Sequence, residues 1–168
     1  MSASSLIYAL PGAAWSLRFE TEALGTMLQH VQRHFWNKES VGQLYSRSLA
    51  DKEIGVVKAT VLKPLKANWT KVQFDPGAAM REREALFEEG LHCLGIWHTH
   101  PEQRPTPSNE DRLLARNHAD AANSQLSGVV FVILGTARLP SGLGVWVDDG
   151  KSLHTALPIG GYEMSAKP

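Results

Sequence analysis

Two histidines separated by one residue are the side chains of this sequence best suited to chemistry. His98 and His100 follow the apolar run Gly95-Ile96-Trp97. Successive side chains of a strand alternate between its faces, so both imidazoles lie on one side, about 6–7 Å apart. Two imidazoles and one carboxylate form a common zinc ligand set that leaves a position open for water. Asp111, in the first turn of the helix predicted next, is the best-placed carboxylate.

The segment that ends at Asp111 also has a structural interpretation. Ser108 and Asp111 have the spacing of a capping box, in which each side chain bonds to the other residue's backbone N–H at a helix start. From the residues alone, capping is the commoner role for such a serine. Both roles are compatible, because a serine fixed at the N-cap lies beside whatever Asp111 binds.

Other metal sites that use a His-x-His pair require further residues that are missing here. Metallo-β-lactamase-like hydrolases need HxHxDH, whereas Glu102-Gln103 stands at those positions. Zincins need HExxH, and zinc nucleobase deaminases need HxE with a later PCxxC. Cys93 is the single cysteine of the chain, so no cysteine-rich zinc site can form.

The remaining pattern is His-x-His, seven residues, Ser, two residues, Asp, which resembles the motif of the JAMM (JAB/MPN) metallopeptidase family. Members usually have a Gly-containing apolar strand before the first histidine and a proline after the second, as Gly95 and Pro101 provide. The resemblance implies that Zn²⁺ binds to three residues and that Ser108 hydrogen-bonds the oxyanion of the reaction. The three zinc ligands that it implies are His98, His100 and Asp111.

The family also requires a distant glutamate, commonly in an E-x-x-G-x-L setting after the first long helix. Residues 39–44 read Glu-Ser-Val-Gly-Gln-Leu. Taken alone, Glu39 is a solvated residue near a helix end. The resemblance implies instead that Glu39 accepts a proton from a water activated by zinc and later delivers it to the leaving amine.

The periodicity of apolar residues predicts three helices among short strands. Helices are predicted over residues 21–35, 78–89 and 108–122. Strands are predicted over residues 6–10, 15–20, 40–46, 54–62, 69–74, 92–97, 128–134, 144–147 and 153–157.

This order of elements indicates an α/β or α+β sandwich in a single domain. The resemblance implies an MPN-type, cytidine-deaminase-like fold, in which a mixed, mostly antiparallel sheet packs between helices. We expect N-terminal strands or an extension over residues 1–20, the catalytic domain over 21–157 and a C-terminal tail over 158–168.

Composition narrows the class of protein further. The 168 residues contain 17 basic and 17 acidic side chains, so the formal net charge is zero. That balance argues against a nucleic-acid or anionic-membrane partner. Because we find no signal peptide and no apolar run of about 20 residues, we expect a cytoplasmic protein.

Several other residues receive structural interpretations. His30 and His34 have the i, i+4 spacing that can bind metal, but without an acidic partner they are read as surface histidines. Cys93 is expected to be a small core residue. Trp97 should face away from His98 and pack in the core.

The resemblance also implies a substrate, because relatives cut after the C-terminal Gly-Gly of ubiquitin or ubiquitin-like proteins. We expect a ubiquitin-like partner with a Gly-Gly tail, or its conjugates, and E1-like and E2-like proteins of one operon in a bacterial antiphage system. The alternatives are a peptidase for a sulfur-carrier precursor, which also ends in Gly-Gly, and a non-catalytic scaffold. Metal content and gene neighbourhood discriminate between them.

Overall fold

The computed structural model describes residues 5–34, 36–67 and 72–161, which form three helices and eleven strands. The helices are α1 (Thr21–Leu28), α2 (Pro76–Glu88) and α3 (Asn109–Ala122). The strands are β1 (Leu6–Ala9), β2 (Ser16–Phe19), β3 (Val41–Ser46), β4 (Glu53–Val56), β5 (Lys58–Ala59), β6 (Pro64–Ala67), β7 (Val72–Phe74), β8 (His92–Thr99), β9 (Val129–Leu134), β10 (Leu143–Asp148) and β11 (Leu153–Gly161).

Nine of these strands form one mixed sheet in the order β4-β2-β1-β11-β10-β9-β8-β3-β5, and β6 and β7 form a separate hairpin. Only the β2–β4 and β8–β9 pairs are parallel. Strands β8 and β9 are joined through α3, since parallel neighbours need a crossover connection. The candidate metal ligands therefore lie at the end of β8, which is flanked by β9 and β3, and on the helix that follows it.

The two strands at the ends of the sheet order, β4 and β5, are neighbours in the chain, so the sheet curls back on itself. Only Val57 separates β4 from β5, and its N–H donates to the Tyr45 carbonyl at 2.9 Å. The concave side encloses the larger apolar core, to which α1 contributes Ala23, Leu24 and Met27. The strands contribute, among others, Leu17, Phe19, Leu44, Trp97, Val130, Val132 and Val145.

The opposite face of the sheet packs against α3. Ile96, Phe131 and Ile133 form a second core with Ala115 of the helix. A sheet with apolar side chains on both faces needs a layer on each side. The predicted mixed, mostly antiparallel sheet between helices is therefore confirmed. Within the described ranges, no helix has both the length and the apolar character needed to cross a membrane.

The first helix is shorter than the predicted range of 21–35. It ends at Leu28, with Gln29 as its C-cap. Gln32 is nevertheless 3% exposed, and its side-chain amide donates to the Asn37 carbonyl at 2.9 Å. The helical spacing of apolar residues continues past Leu28, but this buried turn leads the chain back to the sheet instead.

Three strand predictions also differ from the structure. The run 54–62 is split at Val57 into β4 and β5, because its halves pair with different strands, β2 and β3. The strand predicted over 69–74 is seen as β7, and residues 68–71 lie outside the described residues. The last strand continues to Gly161 and pairs with β1, so residues 158–161 belong to the sheet; residues 162–168 lie outside the described part.

Candidate metal centre

Strand β8 brings the two histidines together at the end of the sheet. It pairs with β3 through Val41 and with β9 through Ile133, both opposite His98. The exposed fractions of His98 and His100 are 4% and 8%, and their Nε2 atoms lie 3.0 Å apart. The period of two along a strand thus places both rings on one side, as predicted.

Helix α3 brings in the carboxylate through its own cap. The Ser108 hydroxyl accepts the Asp111 N–H at 3.1 Å, and Asp111 Oδ2 accepts the Ser108 N–H at 2.8 Å. The predicted capping box is therefore present. The capping box thus holds Asp111, which is 9% exposed. The second carboxylate oxygen, Oδ1, lies 3.1 Å from His98 Nε2.

These three side chains have the spacing of a zinc ligand set. Ligand atoms at about 2.0–2.1 Å from a tetrahedral ion lie about 3.3–3.4 Å apart. Here the Nε2–Nε2 separation is 3.0 Å, and the separations from Asp111 oxygens are 3.1 Å to His98 and 3.4 Å to His100. Within the described residues, both Nδ1 atoms are buried without a hydrogen-bond partner, so Nε2 is the ring atom directed at a shared ligand. Buried His98, His100 and Asp111 can therefore hold a metal ion.

The charges of the cluster suit a cation. Burial lowers the pKa of His98, which keeps its ring neutral and able to bind a metal through nitrogen. Burial opposes protonation of His100 as well, but the hydrogen bond to Asp111 and the negative charges of Asp111 and Glu39 together raise the His100 pKa. Although burial disfavours the Asp111 carboxylate, its hydrogen bonds to both histidines hold its pKa well below the usual range. The site thus offers an ionised carboxylate.

Glu39 lies beside this cluster, two residues before β3 begins. It is 5% exposed, and its Oε1 is 4.0 Å from His100 Nε2. Burial raises the pKa of Glu39 to about 7, with nearby His100 lowering it and Asp111 raising it. The structure therefore brings Glu39, His98, His100 and Asp111 together, and Ser108 is exposed beside Asp111.

Comparison with known proteins identifies the family. The model of the prokaryotic homologs of the JAB domain matches residues 20–146, which is more than half of the chain. The chain belongs to this prokaryotic JAB family. JAB proteins are usually hydrolases, and the match includes Glu39, Ser108 and the three residues that can hold a metal.

The solved structures agree with the JAB fold. The solution structure of a protein from Desulfitobacterium hafniense matches with a TM-score of 0.60 and 19% identity, over 82% of this chain and 87% of that one. At this identity the likeness concerns the fold alone. No curated protein matches the chain.

The glycine of the E-x-x-G sequence, Gly42, lies where this JAB chain has no room for a side chain. A Cβ on Gly42 would lie 1.6 Å from the Thr60 carbonyl oxygen and 2.5 Å from Trp97 Nε1. Trp97 is fully buried and donates to that same carbonyl at 2.8 Å. Gly42 thus lets the backbone after β5 approach β3. The predicted core position of Trp97 is confirmed.

The other residues singled out in the sequence have mixed outcomes. His34 is exposed and stacks on Trp36, as expected for a surface histidine. His30, read in the same way, is only half-exposed, and its Nδ1 lies 3.2 Å from the Ser40 hydroxyl. Cys93 is half-buried at the start of β8.

Sequence reasoning missed two neighbours of the motif residues, Thr99 and Ser40. Thr99 is fully buried between the two histidines, and its hydroxyl accepts the Ser40 N–H at 2.9 Å. The available signal was a hydroxyl residue at the middle of His-x-His and another directly after Glu39. Their contact joins residues 59 positions apart, so local spacing could not reveal it.

Proposed function

We propose that this JAB protein is a JAMM-type zinc metallopeptidase that cleaves after the C-terminal Gly-Gly of a ubiquitin-like protein. One observation carries the proposal: in a buried set of two imidazoles and a carboxylate that could hold a metal ion, His100 lies 4.0 Å from a second buried carboxylate, Glu39. A structural metal site has four protein ligands, whereas a hydrolytic site has three and a nearby proton acceptor.

The metal ligands would be His98 and His100 through Nε2 and Asp111 through a carboxylate oxygen. When bound, zinc supplies Lewis-acid chemistry, lowering the pKa of water and polarising a carbonyl group. The capping box keeps Asp111 in place before metal arrives, because its backbone and side chain are both bonded to Ser108. Preorganised ligands of this kind favour binding without rearrangement.

Glu39 would be the general base and then the general acid. Its pKa of about 7 allows its carboxyl group both to accept a proton from the attacking water and to deliver one to the leaving amine near neutral pH. The low-polarity surroundings that raise this pKa are the same ones that exclude bulk water from the carboxyl group. A solvated glutamate would not be tuned in this way.

Ser108 would donate a hydrogen bond to the negative oxygen that develops on the substrate carbonyl. Its oxygen already accepts the Asp111 N–H, so the hydroxyl hydrogen is directed elsewhere. One preorganised donor of this type contributes about 3 kcal/mol to transition-state stabilisation. We assign Ser108 no nucleophilic role.

The strand edge near the site supports the proposal of an extended Gly-Gly tail as substrate. Strand β5 is the terminal strand of the sheet order beside β3, and it leads to Leu62, which bridges to Val41. An extended tail can add to such a strand edge, and glycine is the residue that permits the closest approach. A small protein partner also suits the zero net charge of the chain.

The biological setting is proposed from the resemblance to compact bacterial members of the family. We propose that the substrate is a ubiquitin-like precursor or conjugate of a bacterial antiphage conjugation system, made by E1-like and E2-like proteins of the same operon. A sulfur-carrier precursor offers the same Gly-Gly chemistry and is the alternative substrate. A scaffold without catalysis would not need Glu39 at the position it occupies.

The test is cleavage of a ubiquitin-like protein bearing a C-terminal extension after Gly-Gly. Intact-mass spectrometry should show a zinc-dependent cut after the second glycine, and Glu39→Ala should lower the rate at least 100-fold while zinc stays bound. Cleavage that persists in Glu39→Ala, or no cleavage by the zinc-loaded protein of any Gly-Gly fusion, would refute the proposal. Zinc-free purified protein would point to the scaffold.

A further inference from the structure

The β3–β8 ladder ends in an unusual way beside the metal centre. Beyond the His98–Val41 pair, the Thr99 N–H donates to the Ser40 carbonyl at 3.0 Å, as in an antiparallel sheet. The reciprocal bond would join the Ser40 N–H to the Thr99 carbonyl. Instead, the Ser40 N–H donates to the Thr99 hydroxyl at 2.9 Å. The hydroxyl of Thr99, between the two histidines, thus replaces the Thr99 carbonyl as the acceptor.

Ser40 is held a second time through its own hydroxyl. Its Oγ lies 3.2 Å from Nδ1 of His30, which comes two residues after α1 ends. The His30 ring lies against the indole of Trp97, with a centroid distance of 5.9 Å. Because Trp97 is fully buried, it provides a fixed surface for the histidine. Backbone and side chain of Ser40 are therefore bonded to different elements.

Ser40 directly follows Glu39, so these contacts hold the backbone next to Glu39. Glu39 precedes β3 and has no place in its ladder. A proton-transfer group loses much of its effect when it is displaced by about 1 Å. The connection from β8 through Thr99 to Ser40 ties the position of Glu39 to the strand that carries His98 and His100.

We propose that Thr99 and His30 are positioning residues that hold Glu39 in register with the metal ligands by clamping Ser40. The inference rests on the proposed function for its kinetic consequence, but the clamp itself can be measured without catalysis. The side chains of Thr99 and His30 bond to the backbone and hydroxyl of Ser40, which directly follows Glu39.

The first test concerns the clamp itself. In Thr99→Val the methyl group replaces the hydroxyl, so the Ser40 amide should exchange with solvent at least tenfold faster, while Thr99→Ser should exchange within about threefold of wild type. Zinc affinity should stay within about threefold in both variants. Thr155, whose side chain is exposed on β11, provides the matched control: Thr155→Val should leave the exchange of the Ser40 amide unchanged. Unchanged exchange in Thr99→Val, or a loss of zinc affinity tenfold or larger, would overturn the proposal.

The second test is kinetic. With a Gly-Gly fusion as substrate, Thr99→Val should lower kcat about 10- to 100-fold with KM within twofold, and Thr99→Ser should restore kcat to within about threefold. Ser40→Ala, which removes only the His30 contact, should lower kcat about three- to tenfold. Equal kcat in wild type and Thr99→Val would overturn the proposal. If wild type cleaves nothing, the proposed function fails, and the exchange and zinc measurements still decide whether the clamp exists.

Discussion

Glu39 differs from an ordinary surface glutamate because the protein buries it. Its side chain is 5% exposed, and burial raises its pKa to about 7 from an ordinary value of 4.5. A carboxyl group with a pKa near the working pH is an efficient proton acceptor and donor. Because the group is buried, ionising it lowers the stability of the fold. Its protonation state can therefore be followed through the pH dependence of stability, without a substrate.

The first prediction concerns the stability of the metal-free protein. Because the folded-state pKa is raised, the protonated Glu39 stabilises the fold below about pH 4.5, and this contribution is lost as pH rises to about 7. Glutamine cannot ionise, so Glu39→Gln does not lose this contribution. As pH rises between these values, the free energy of unfolding of Glu39→Gln minus that of wild type should increase by about 2–3 kcal/mol. Urea denaturation with a chelator measures the difference. Parallel pH profiles would contradict the prediction, and exposed Glu88→Gln is the control.

Ser108 combines a structural and a chemical role, and two substitutions separate them. Ser108→Ala removes the N-cap acceptor and the hydroxyl donor. The free energy of unfolding should therefore fall by about 1 kcal/mol, and kcat should fall about 100-fold. Ser108→Thr keeps both groups and should restore both quantities. Thermal unfolding and steady-state kinetics are the measurements. A Ser108→Ala protein with normal kcat would leave only the capping role.

At the scale of elements, β3 depends on the absence of a side chain at Gly42. A Cβ there would meet the Thr60 carbonyl oxygen at 1.6 Å, so Gly42→Ala must push the β5 segment away from β3. We expect a loss of about 3 kcal/mol or more in unfolding free energy. In Gly25→Ala, within α1, a Cβ meets nothing within 4 Å, and we expect a gain of about 0.5–1 kcal/mol. Equal stabilities of the two variants would contradict this account of β3.

The elements also show what the sequence could and could not predict. The positions of His98, His100 and Asp111 follow from local rules, namely alternation along a strand and capping of a helix. The early end of α1 and the division at Val57 depend on pairing with distant strands, which local apolar spacing does not report. The contact of Thr99 with Ser40 is nonlocal as well. Glu39 was predictable only through the family resemblance.

At the scale of the whole molecule, metal binding should stabilise the fold. His98 lies in β8, His100 directly after it and Asp111 in α3, and these parts of the chain are separated in sequence and meet only in the folded state. Zinc at 100 times its Kd should add about 2.7 kcal/mol, which corresponds to about 5–10 °C in Tm for a protein of this size. Asp111→Asn should abolish the increase, whereas Glu39→Gln should keep it. A Tm unaffected by zinc in wild type would contradict the metal site.

The curled sheet explains how one small domain assembles this site. Its two terminal strands meet at Val57. One face of β3, β8 and β9 packs on the core that includes α1, and on the other face α3 packs against β8 and β9 while α2 packs against β3. The order of elements correctly indicated a mixed helix and strand class, and the family resemblance correctly implied a sheet between helices. The sequence did not predict the curl, because that depends on β4 and β5 pairing at opposite ends of the sheet.

The most direct test of a single-zinc peptidase is a titration of metal-free protein with zinc while cleavage of a Gly-Gly fusion is followed. The account predicts that the rate rises in proportion to added zinc, reaches its maximum at about one equivalent per chain and stays near zero throughout for Asp111→Asn. A rate that is independent of zinc, or that rises equally in Asp111→Asn, would contradict it.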